Sequence, residues 1–244
     1  MPFVEKIKKS LSAIHFLYPQ SCIHCQEELE GAFRYLCDFC LSELRVLDPK
    51  LKCQYCFQDS PQNICPSCRK KRISLKACAA VWDYLGPAST LIQKLKNGAQ
   101  PKLAKLLAAY LVSQWHALGW PLPDAIIPVP QSPFSQFLKG YNPSALIAEE
   151  FSKMMGKTCL QILRRKGGDF SQSKLPLEIR ASLTNENFWM KHPEKIFDKT
   201  VLLIDDYFQT GATLKCCAET LSEAFPKSIY ALTVCINNIP IQKI

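Results

Sequence analysis

Asp205 and Asp206 stand side by side after the aliphatic run 201–204, and Tyr207, Phe208, Gln209, Thr210, Gly211, Ala212 and Thr213 follow them. A continuous Val/Ile/Leu run reads as a buried parallel strand. In open α/β sheets ligands sit beyond the carboxyl ends of such strands, where N–H groups at the start of the next helix hold phosphate. The amphipathic run 212–224 supplies that helix. Carboxylates accept from sugar hydroxyls and the loop donates to phosphate, so the string is suited to a sugar phosphate. The plainer alternative is a buried strand whose acids only start the next helix, since Asp is a common N-cap. Two acids, Thr-Gly and Thr at these offsets favour the ligand.

The string resembles the phosphoribosyl diphosphate (PRPP) motif of type I phosphoribosyltransferases. The resemblance implies that Asp205 and Asp206 hold the ribose hydroxyls. It also implies that Gln209, Thr210, Gly211, Ala212 and Thr213 wrap the 5′-phosphate.

A second chemistry lies near the start of the chain. Of thirteen cysteines, eight form four C-x-x-C pairs before residue 69. Cys22, Cys25, Cys37 and Cys40 make C-x2-C-x11-C-x2-C; Cys53, Cys56, Cys65 and Cys68 make C-x2-C-x8-C-x2-C. Two such knuckles complete a tetrahedral all-thiolate zinc site with no open position, so the metal is structural. The region reads as a double zinc ribbon whose metal supplies folding free energy, on the order of 10 kcal/mol per site. Sequential pairing is favoured over an interleaved cross-brace, which would use the same eight residues. His24, inside the first knuckle, reads as a bystander. The run 69–72, Arg-Lys-Lys-Arg, is either a solvated linker or a contact for nucleic-acid phosphate.

The rest of the chain must position the acids. The pattern predicts a strand at 77–84, a helix from Pro87 to a stop at Asn97-Gly98, a helix at 101–118 and a strand at 124–129. A loop at 130–140, a helix at 143–155 and a strand at 158–163 follow. The polar stretch 164–186 is long for a compact domain and reads as a lid. A strand at 199–204, a helix at 211–224 and a strand at 228–236 complete an alternation that argues for a parallel, helix-covered sheet. The expected division is an amphipathic helix at 1–20, the ribbons at 21–72 and the α/β domain at 76–244.

Apolar content of 48% and charged content of 21% are those of a globular chain, outside the disordered class. No apolar run approaches the ~18–20 residues of a membrane span, and the first residues lack the apolar region of a secretory signal. Paired clusters plus scattered thiols point to a reducing cytoplasm rather than a disulfide framework. Two four-thiolate zinc centres would lower the formal charge of +9 to about +5. That permits anionic ligands without demonstrating nucleic-acid binding.

The order of parts resembles the ComF family, a ribbon module followed by a phosphoribosyltransferase-like domain, associated with bacterial competence for DNA uptake. F-L-Y-P-Q-S-C-I-H-C is similar to the family's entry into its first ribbon, and W-D-Y-L-G…L-K-N-G to its Y-x-G…L-K-Y-x-G. I-I-P-V-P is similar to its P-V-P loop, and K-G-Y-N-P-S-A to R-G-F-N-Q-A. Leu163, Arg164, Arg165, Gln172, Leu175, Arg180 and Phe188 follow its Q-x-x-L-x-x-x-x-R region. The fold implied is a parallel twisted sheet of type I phosphoribosyltransferase kind behind a small double zinc ribbon. The resemblance places Pro128, Val129 and Pro130 beside the diphosphate, where an X-Pro bond can be cis. Lys96 and Lys139 would add positive charge, and magnesium would travel with PRPP. Three departures stand out: Gln209 replaces a threonine, Tyr207 a small aliphatic, and Lys139 an arginine, which loses a bidentate fork for phosphate.

Three functions follow as expectations. One is an enzyme in which a nitrogen nucleophile attacks the anomeric carbon of PRPP and diphosphate leaves. Another is an accessory factor gripping single-stranded DNA with the ribbons, Tyr35, Phe39, Tyr55 or Phe57 stacking on bases. The third is an interaction module with vestigial ligand binding. A role with the DNA-uptake machinery is expected ahead of nucleotide salvage, where the ribbons would be superfluous.

Overall fold

A computed structural model describes residues 21–29, 35–70, 74–97, 100–166 and 187–237. The expected helix at 1–20, Gly98, Lys71, Arg72, Gln172, Leu175, Arg180 and most of the expected lid lie outside the described residues.

In chain order the strands are β1 (Ala77–Asp83), β2 (Ala125–Pro128), β3 (Thr158–Cys159), β4 (Leu163–Arg165), β5 (Phe188–Met190), β6 (Thr200–Phe208) and β7 (Ser228–Ile236). The helices are α1 (Asp38–Ser42), α2 (Pro66–Arg69), α3 (Gly86–Lys96), α4 (Leu103–Leu118), α5 (Pro133–Lys139), α6 (Pro143–Met155) and α7 (Ala212–Ser222). Five strands form an all-parallel sheet in the order β1-β7-β6-β2-β3, while β4 and β5 make a separate antiparallel pair. Val201, Leu202, Leu203 and Ile204 are all fully buried, as a central strand covered on both faces requires. No helix among the described residues is long and apolar enough to cross a membrane.

The strand order creates a ligand crevice. From β2 the chain moves outward to β3, whereas from β6 it moves the opposite way to β7. Right-handed crossovers in opposite directions put α6 and α7 on opposite faces, and the carboxyl ends of β2 and β6 become a topological switch point. α4 and α6 pack on each other and on the sheet; α7 packs on β6 and β7. Asn142 caps α6 by accepting from the Ser144 N–H at 3.0 Å, and Gly156, in the left-handed region, ends it.

Three expectations are corrected. The segment 130–140 is not all loop, because Ser132 caps α5 and Pro133 opens it. Phe134, Phe137 and Leu138 are exposed, so α5 has no buried stripe for periodicity to show. The single strand expected at 158–163 splits into β3, on the main sheet, and β4, which pairs with β5 instead. The strand expected to end at Ile204 runs on to Phe208.

The cysteine region packs on the sheet. Leu47 N–H donates to Val81 at 2.9 Å, and buried Gln114 donates to both Leu47 and Ala80 carbonyls at 3.0 Å. Cys22, Leu36, Cys40 and Phe57 belong to the same apolar cluster as the strands.

Candidate functional site

β6 outruns β2. Their pairing ends at Pro128↔Ile204, and the Val129 N–H adds one last bond to the Ile204 carbonyl at 2.9 Å. On its other side β6 stays paired with β7 through Asp205↔Thr233, Tyr207↔Cys235 and Phe208↔Ile236. The acids therefore lie within the strand rather than past its end, where β2 has left and one edge of β6 is open. Adjacent strand residues point to opposite sides, and the two carboxylates have different partners.

Asp206 is buried and forms an ion pair with Lys96 at 3.0 Å. Asp205 is half-buried; its Oδ1 accepts from the Ser144 hydroxyl at 2.7 Å and from the Asp206 N–H at 2.9 Å. Burial, then the neighbouring Asp206 charge, raises the Asp205 pKa to about 7, with Ser144 and Lys96 opposing. Burial also disfavours the Lys96 ammonium, but Asp206 and Asp205 outweigh it and leave the pKa above the ordinary lysine value. The Lys96 ammonium lies 5.2 Å from the Tyr207 ring centre, and Tyr207 stacks on Tyr84 at 4.3 Å.

Lys139, at the end of α5, is pulled below the ordinary lysine value by burial and by repulsion from Lys96, with Asp206 opposing. Arg165 on β4 is lowered by burial and feels the opposing pull of Asp205 among its neighbours. Lys96 is paired with an acid, while Lys139 and Arg165 lie close enough to feel the charge of the two carboxylates. The structure places Lys96 on Asp206 and Lys139 within the electrostatic reach of that pair, beside Asp205. Ser144, Arg165 and Tyr84 join them without having been singled out as ligand contacts. For Ser144 the sequence signals are its place at a helix start after Asn-Pro and within the string K-G-Y-N-P-S-A.

Gln209 and Thr210 lead into Gly211, the residue before α7, at φ 76°. A Cβ there would sit 2.8 Å from Phe208 Cζ, so backbone angle and close approach both demand glycine. Gly211 has no side chain to cap α7, which leaves the first-turn N–H groups, those of Ala212 and Thr213 included, facing the loop. Ala212 N–H has only a long contact to the Thr210 hydroxyl, 3.4 Å. Val129 is buried, and its carbonyl accepts from Asn142 at 2.9 Å, so both of its backbone groups are engaged. No peptide bond among the described residues is cis, so the loop at Pro128 and Pro130 does not turn its N–H groups inward that way.

The eight paired cysteines gather into two clusters, Cys22/Cys25/Cys37/Cys40 and Cys53/Cys56/Cys65/Cys68, with each set of sulfurs within 4.8 Å of one another. The pairing is sequential, not cross-braced. A tetrahedral site with Zn–S near 2.3 Å has an S···S edge of about 3.8 Å. The Cys25–Cys37 and Cys56–Cys65 sulfurs stand 3.6 and 3.8 Å apart. The residues fit zinc. Burial raises the Cys22 thiol, yet backbone N–H donors from Cys25, Cys37 and His24 win and lower it to about 6. Cys53 is lowered to about 7 against burial in the same way. His24 instead meets the Thr90 hydroxyl on α3 through Nδ1 at 2.8 Å.

The DNA-stacking expectation divides. Phe57 is buried in the shared core, whereas Phe39 is 74% exposed. Tyr35 and Tyr55 are half-buried. Arg69 donates to Gln62 at 2.8 Å.

No family model matches the chain. It is 30% identical over 201 residues to competence protein F of Haemophilus influenzae, spanning 79% of this chain and 86% of that protein. It is 25% identical over 210 residues to DNA utilization protein YhgH of Escherichia coli, spanning 83% and 91%. A purine phosphoribosyltransferase structure from Pyrococcus horikoshii aligns with 57% of this chain and 91% of its own, at 16% identity and TM-score 0.36. That likeness is too slight to argue from.

Proposed function

The chain belongs to the ComF family, that of competence protein F, and from this premise we propose that it binds PRPP with magnesium and acts in the cytoplasm in DNA uptake. One observation carries the reading: the acid pair, with Lys96 on Asp206 and Lys139 and Arg165 within its electrostatic reach, lies at the carboxyl end of β6 just before the Gly211 turn that opens α7. A ribose would give hydroxyl protons to the acids, and its 5′-phosphate would take the N–H groups of Gly211, Ala212 and Thr213. Lys96, Lys139 and Arg165 would face the diphosphate. PRPP carries more negative charge than three cations neutralise, and magnesium on the diphosphate oxygens, hard ligands suited to that ion, supplies the rest when bound.

The role in DNA uptake draws on the relatives, whose names are competence protein F and DNA utilization protein. The proposal commits to binding. If transfer occurs, the site works by positioning and charge stabilisation.

Calorimetric titration of PRPP, with and without magnesium, tests the reading. Wild type is expected to bind, more tightly with magnesium, and an Asp205→Asn/Asp206→Asn variant to lose at least 10-fold. Equal affinity in the two proteins would end the ribose assignment. Oligonucleotide binding measured against salt tests the single-stranded DNA alternative, and a slope near zero would remove phosphate contact as its basis.

A further inference from the structure

We propose that Ser144, itself held by Asn142, is a positioning residue that presents Asp205 to the sugar. The inference rests on the ribose-phosphate reading and goes beyond it by giving the two acids different roles. Both donors to Asp205, the Ser144 hydroxyl at 2.7 Å and the Asp206 N–H at 2.9 Å, reach the same oxygen, Oδ1. Among the described residues Oδ2 receives no hydrogen bond in the structure, so two contacts fix the carboxylate while its second oxygen stays available to accept. Asp206 is committed differently, to Lys96.

Ser144 has little freedom to do anything else. It is 3% exposed, and its N–H is held by Asn142 Oδ1 at 3.0 Å. Asn142, also buried, donates from Nδ2 to the Val129 carbonyl at 2.9 Å. A side-chain path therefore runs from Val129 through Asn142 and Ser144 to Asp205. It bridges β2 and β6 just past their last ladder pair, Pro128↔Ile204. Across the gap where a ligand would enter, this path replaces the missing ladder and fixes the spacing of its walls. The other titratable or charged groups facing Asp205 are Asp206 on its own strand, Lys96 from α3, Arg165 from β4 and Cys217 from α7. None of these changes when Ser144 is substituted.

The experiment compares wild type, Ser144→Ala, Ser144→Thr, Asp205→Asn and Ser144→Ala/Asp205→Asn, all zinc-loaded and checked for fold by circular dichroism. The first readout is the titration midpoint of the Asp205 carboxyl, followed by carbon NMR without ligand. Losing a donor to the ionised form should raise it by roughly one pH unit in Ser144→Ala, and Ser144→Thr, which keeps the hydroxyl, should restore it. The second is PRPP affinity at pH 7, expected to fall about 10-fold in Ser144→Ala. In the Asp205→Asn background the same substitution should cost nothing further. An unmoved midpoint, or an equal loss of affinity with and without Asp205, overturns the role given to Ser144 while leaving the binding site intact. Failure of wild type to bind PRPP instead defeats the ribose reading, and a shifted midpoint would then show only that Ser144 orients Asp205.

Discussion

The Lys96–Asp206 pair permits a quantitative test. Asp206 keeps 8% of its side chain exposed and Lys96 30%, with 3.0 Å between charged atoms. At an effective dielectric near 20 the direct attraction is about 5–6 kcal/mol, most of it offset by desolvation. Removing one partner of a buried pair costs about 3–5 kcal/mol because the other charge is stranded. The lysine end still touches water, so Lys96→Met should cost about 2–3 kcal/mol, with the methionine keeping the stem's packing. Asp206→Asn should cost about 1 kcal/mol, since Lys96 can turn to solvent. The double variant strands no charge and should recover part of the sum, giving a coupling of about 1.5 kcal/mol or more. Urea unfolding of the zinc-loaded protein measures all four species, provided the dependence on urea stays constant. A coupling below about 0.5 kcal/mol would mean that the pair does not hold Asp206 in place.

Native mass spectrometry should find two zinc ions per chain and, for Cys56→Ser, loss of one with the first cluster still filled; simultaneous loss of both would contradict two separate sites. The Asp205 carboxyl, raised to about 7, binds a proton in the folded chain that the unfolded chain releases near pH 4. Stability should therefore fall as pH rises from about 4 to 7, by up to about 1.4 kcal/mol per unit, and Asp205→Asn should flatten that slope in urea midpoints. A wild-type slope in the variant would assign the titration elsewhere. Gly211→Ala forces a Cβ to within 2.8 Å of Phe208 at φ 76°, costing about 2–3 kcal/mol between backbone strain and overpacking. PRPP binding should weaken at least 10-fold, and unchanged stability would mean the turn relaxes freely.

What the sequence made legible follows from how locally each feature is specified. The helix at Pro143–Met155 was predicted to the residue because Asn142, Pro143 and Gly156 mark its limits on the chain itself. The two cysteine clusters are legible because the two-residue spacer of each knuckle fixes where its sulfurs go, and the folded chain has the sequential pairing that the sequence favours. The end of β6 was misplaced because acids at an aliphatic boundary look like a stop. Pairing with Thr233, Cys235 and Ile236, about thirty residues away, carries the strand onward. The role of Ser144 is not legible locally for the same reason, because its partner Asp205 is distant in sequence. Lys96 and Lys139 were named only through family resemblance, since a lone lysine has no local mark that distinguishes a ligand contact from a solvated charge.

The ribbons acquire a purpose from their attachments. The carbonyl of Gln54, inside the third knuckle, accepts from the Cys78 N–H on β1 at 2.7 Å, and Gln58 donates to the Asn237 carbonyl at 3.1 Å. The Asn237 N–H in turn donates to Phe208 at 2.9 Å, and Phe208 is the residue packed under Gly211. On the other side His24 touches α3, the helix that ends at Lys96. Phe57, with 2% of its surface exposed, belongs to the core that the strands share. A small metal-dependent unit has little core of its own, and this one borrows the sheet's. The knuckles therefore connect to both the strand end before the turn at Gly211 and the helix carrying Lys96. Metal bound at the cysteine clusters would therefore be coupled to the geometry of the turn at Gly211, which an independently tethered DNA-gripping module would not require.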